Sequence, residues 1–77
     1  MTDLDARLHA AHAAQNRAEL VRLYTEAADQ AHNIDQACFF LTHAYVFALE
    51  AGDLRARHLA ERLAAHGREP APGENLL

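Results

Sequence analysis

Six histidines in 77 residues are the first feature of this sequence that could do chemistry. Imidazoles hold a divalent metal when one helix offers ligands at i, i+3 or i+4 and a second helix completes the set. His9 and His12 stand three apart, Asp5 lies four before His9, and Asp29 with His32 forms an Asp-x-x-His pair. A small metal- or ligand-binding protein would use these residues. Glu-x-x-His and His-x-x-x-His are both absent from the sequence. The expectation is therefore surface histidines on alanine-rich helices, with no metal ligand set and no cofactor.

His43 differs, because Phe39, Phe40, Val46 and Phe47 surround it at helical spacing. General acid–base chemistry would need a nucleophile or acid beside it, and neither flanks it. Glycine-rich phosphate loops, paired catalytic carboxylates and Ser-His-Asp arrangements are also missing, so no enzyme is expected. Cys38 is the one cysteine, which rules out a disulfide within the chain and fits a reducing cytoplasm. Net charge is −4 with no lysine and no basic block, which argues against nucleic acid as the partner. Heavy use of alanine, and arginine as the only cation, resembles coding from a GC-rich bacterial genome. The acidic N-terminus lacks an apolar run, so no signal peptide is expected there. No stretch reaches the roughly 18 apolar residues of a membrane span.

The elements that must position these residues are helices. Three glycines and two prolines occur, and all but Gly52 lie at or beyond residue 67. Asn16 followed by Glu19 predicts a helix start with a capping-box-like pair. Asn33 suits a left-handed end of one helix, with Asp35 capping the next. Gly52 ends a helix and Asp53 begins another. Four helices are predicted at 3–14, 17–32, 35–51 and 54–66, forming a single all-α domain over 1–67. An extended or disordered tail is expected over 68–77.

The predicted helices bury different amounts. The first offers only Leu4, Leu8 and Ala11, and should dock weakly. The second puts Leu20, Val21, Leu23, Tyr24, Ala27, Ala28 and Ala31 opposite Glu19, Arg22, Glu26 and Asp29. The fourth should bury Ala56, Leu59, Ala60, Leu63 and Ala64. Its other face carries Arg55, His58, Arg62 and His66, a possible polar docking face for an acidic partner. The third helix is apolar over about 280° of its circumference, against the 100° or so of a surface helix. Its one polar line is Gln36, His43 and Glu50, edged by Phe39, Val46, Phe40 and Phe47. Ala37, Ala44, Ala48 and Ala51 make a side for close approach, while Ile34, Cys38, Tyr45 and Leu49 oppose the polar line.

Residues 41–53, "LTHAYVFALEAGD", resemble the first helix and turn of a tetratricopeptide repeat. Leu41, Thr42, Ala44 and Tyr45 stand where that motif has Leu, Gly, Ala and Tyr, and Gly52-Asp53 make the turn. Leu59 and Leu63 lie on the inner face of the second helix, and Pro70 falls near the closing proline. Thr42 departs from the small glycine, about three extra residues precede Gly52, and Arg57 stands where alanine is usual. "AAQNRAEL" resembles "EAGDLRAR" at an offset of 37, in the range of helical-hairpin repeats. The resemblance implies two antiparallel helical hairpins and a scaffold or adaptor that binds proteins. Two hairpins are too few for the concave groove of a longer array, so a partner or a second copy must complete the stack. A cytoplasmic protein–protein interaction module follows, self-associating as a homodimer through Gln36, Phe39, Phe40, His43, Val46, Phe47 and Glu50. A docking subunit of a larger enzyme is the alternative use of the same helix.

Overall fold

The computed structural model describes residues 3–68. Four helices follow in order: α1 (Asp3–Ala14), α2 (Arg17–Asp29), α3 (Ile34–Ala51) and α4 (Arg55–Ala65). Among the described residues there is no strand, and each helix packs on the next in the chain. The chain is a small all-α protein. Apart from Arg68, the expected tail lies outside the described residues.

Local chemistry explains the helix ends. Asn16 caps α2, its Oδ1 accepting the Glu19 amide at 3.2 Å. The Glu19 carboxylate does not return to Asn16 as a capping box would, but takes the Arg22 guanidinium instead. Asn33 corrects the sequence expectation. It is extended (φ −149°), not left-handed, and caps α3 by accepting the Gln36 amide at 2.8 Å. Gln36 reaches back to the His32 amide at 3.1 Å, which occupies both ends of the cap. Asp35 consequently sits inside the first turn of α3, and α2 stops at Asp29. Gly52 ends α3, as expected, in the left-handed region (φ 64°), and the Asp53 amide donates to the Ala48 carbonyl at 2.8 Å across it. That six-to-one closure recurs after α1, where the Asn16 amide donates to Ala11 at 3.0 Å across a left-handed Gln15 (φ 54°).

The core divides in two. Val21 and Ala28 of α2 meet Cys38, Leu41, Ala44, Tyr45 and Ala48 of α3, and Leu59 and Leu63 of α4. The alanines let α2 and α3 approach closely, and this pairing is the most extensive in the fold. A smaller cluster joins Ala11 to Leu20 and Leu23, with Leu4 and Leu8 only partly covered. Weak docking of α1 follows from that. On α4, Leu59 and Leu63 are buried but Ala64 is exposed, since it stands at the edge of the apolar stripe. Ion pairs tie the edges: Arg7 to Glu26 at 2.9 Å, Arg17 to Glu50 at 3.0 Å and Arg62 to Asp29 at 2.7 Å.

Candidate functional site

The outward side of α3 is the candidate site, and its limits are set by what α2 and α4 already cover. Cys38, Leu41, Ala44, Tyr45 and Ala48 face inward and are buried. Phe40 and Phe47 lie half-buried against α2, where Tyr24 is the hub. The Tyr24 ring stacks on Phe47 with centroids 5.8 Å apart, and Phe40 lies 6.2 Å away. His43 approaches Tyr24 to 5.2 Å from the outer side. Burial pushes the Tyr24 phenol above its ordinary range.

Two of the expected interface aromatics are thus engaged within the chain, and the open part of the face moves to the other flank. Phe39 is 57 % exposed and Val46 is 44 % exposed. Thr42 is exposed beside them, and Leu49 is 37 % exposed rather than part of the core side. At 100° per residue, these four occupy a strip of about 80°, with Thr42 and Leu49 on one side and Phe39 and Val46 on the other. Ile34, the first residue of α3, also opposes the polar line by angle, yet it is 54 % exposed. Thr42 is the member that sequence reading passed over. The signal was present: Phe39, Thr42, Val46 and Leu49 recur at steps of three, four and three.

The polar line itself is occupied. Gln36 holds the His32 amide, Glu50 pairs with Arg17, and His43 Nδ1 lies 3.1 Å from the Phe39 carbonyl, to which it donates. The His43 ring sits 4.5 Å from that of Phe39, shielding one side of it. The expected polar stripe of α4 is also partly committed. Arg55 donates to Asp53 at 2.6 Å and to the Ala18 carbonyl at 3.0 Å, and Arg62 holds Asp29. His58 and His66 remain exposed, with Glu61 3.9 Å from His58 Nδ1. The guanidinium of Arg55 holds the Asp53 carboxyl down to about 2, and that of Arg22 lowers Glu19.

The metal-ligand candidates His9, His12, Asp29 and His32 do not converge, and His32 lies in the connection after α2. His9 is exposed, His12 Nε2 is 3.0 Å from the Tyr24 hydroxyl, and Asp29 is taken by Arg62. Among the described residues, no group of three or more His, Cys, Asp or Glu side chains is placed to hold a metal. Cys38 is buried and lines, with Asp35, Phe39, Thr42, His43, Gly67 and Arg68, an open groove beside the strip. No helix among the described residues is long and apolar enough to cross a membrane. No family model, curated protein or solved structure matches this chain.

Proposed function

We propose that this chain is a protein–protein interaction module acting through the outward strip of α3, with no catalytic chemistry of its own. The observation that carries the reading is Phe39 and Val46 standing exposed on a helix whose opposite side is buried. Covering a large apolar side chain contributes about 1.5–3 kcal/mol, so such a strip favours a partner's surface over water. His43 meets the rings of Tyr24 and Phe39 and the Phe39 carbonyl, which supports a positioning role beside Phe39. The likeness to tetratricopeptide hairpins belongs to this reading, and the matching turn closures after α1 and α3 support it. So does a cytoplasmic setting, where the buried Cys38 would persist as a thiol.

A photo-crosslinking amino acid tests the reading when placed at Phe39 in one variant and at exposed Glu61 of α4 in another. Illumination in cells is expected to join a protein, either another chain or a second copy, at position 39 and not at 61. Equal yields at both positions would sink the reading.

A further inference from the structure

We infer that the occupant of this strip is a second copy of the chain, with the two α3 helices antiparallel about a two-fold axis level with Ala44. The inference rests on the interaction reading above and names its partner. Steps of three, four and three are the spacing of a helix–helix seam, in which each side chain enters a hole on the facing helix. Reversing α3 about Ala44 brings Phe39 level with Leu49 of the other copy, and Thr42 level with Val46. The strip is therefore complementary to itself. The bulky pairs fall at the ends and the small pairs at the centre, where the helices must approach most closely.

Polar groups within the seam already have partners. The Thr42 hydroxyl donates to the Cys38 carbonyl at 2.8 Å, so burial would cover its methyl without stranding its oxygen. The outermost layer sets Asp35 level with Asp53 of the other copy. Each carboxylate carries its own arginine, Arg68 on Asp35 and Arg55 on Asp53, which offsets the like-charge contact. Eleven residues of helix seam with flanking side chains bury on the order of 1,000 Å² in total, the lower limit for a specific interface. Association is expected to be reversible, since a seam of this size leaves little surplus over the cost of bringing two copies together. The chain's own residues 69–77 are the weaker occupant, because Leu76 and Leu77 are their only large apolar side chains, against four positions of the strip to be covered.

Sedimentation equilibrium of the full chain across the micromolar range tests the dimer, and cysteine pairing tests its register. The wild type is expected to be a reversible dimer. Phe39→Ser and Val46→Glu should each raise its dissociation constant at least about tenfold. Both positions are exposed, and unchanged helical circular dichroism will show that the fold survives. In a Cys38→Ala background, a mixture of Thr42→Cys and Val46→Cys chains should oxidise to the mixed covalent dimer. Phe39→Cys alone should not pair with itself, because the two copies of that position lie about 15 Å apart along the axis. A monomer throughout, a dissociation constant unmoved by both substitutions, or preferential self-pairing of Phe39→Cys overturns the inference. If the wild type is monomeric while position 39 still crosslinks to a different protein, the second copy is excluded and the interaction reading stands. If neither occurs, both fall.

Discussion

Two residues thirty-seven positions apart do the same conformational work with different side chains. Gln15 and Gly52 are both left-handed, each followed by an amide that closes the preceding helix. A β-carbon in that region costs about 1–2 kcal/mol, so Gln15 carries a strain that Gly52 avoids. Gln15→Gly should raise stability by roughly 0.5–1 kcal/mol, the strain relief less the added chain entropy. Gly52→Ala should lower it by about 1 kcal/mol, and space is no obstacle because a β-carbon there meets nothing within 4 Å. Urea denaturation of the two variants measures both signs. Asp53 adds a pH term. Its carboxyl falls from the ordinary 3.8 to about 2 because Arg55 donates to it from side chain and backbone. A depressed folded pKa stabilises above the unfolded value and loses that contribution as pH falls through the folded one. Melting curves from pH 5 down to 2 should therefore show Asp53→Asn converging on the wild type between about pH 4 and 2.

The helices differ in how firmly the fold holds them. α3 is buried along one whole side by α2 and α4, whereas α1 contributes Ala11 and parts of Leu4 and Leu8. Polar contacts add to this hold, Arg7 pairing with Glu26 and His12 meeting the Tyr24 hydroxyl. Amides of α1 should exchange with solvent well before those of α3, as hydrogen exchange followed by NMR will show. Leu41→Ala, at a fully buried position touching α2 and α4 through the main cluster, should cost about 2–5 kcal/mol. Leu8→Ala should cost less and accelerate exchange in α1 alone. Uniform acceleration across all four helices would contradict this ranking.

At the scale of the whole molecule, stability and association should separate. Phe39 is exposed, with Phe40 meeting it edge-on and His43 tilted against one side, so Phe39→Ser should shift the monomer's stability by no more than about 0.5–1 kcal/mol. The same substitution removes the largest side chain from the open strip. Tyr24→Ala reverses the pattern. It withdraws the ring that covers Phe40 and Phe47, lowers stability by about 3–5 kcal/mol and leaves the strip of Phe39 and Val46 in place. Thermal denaturation set beside light scattering of the two variants distinguishes a residue of the surface from a residue of the core.

The helices and most of their ends were legible in the sequence because caps and breakers act within a few residues. Asn16, Gly52 and the apolar side of α2 needed no long-range information. Asn33 was misassigned because one asparagine can end a helix or begin one, and only the path of the chain from Asp29 to Ile34 selects the second. Helix periodicity also exposed an excess of apolar surface on α3. It could not say which part would stay open, because that depends on where neighbouring helices cross. Tertiary packing decided it: α2 laid Tyr24 across Phe40 and Phe47, and the uncovered side turned toward Phe39, Thr42, Val46 and Leu49.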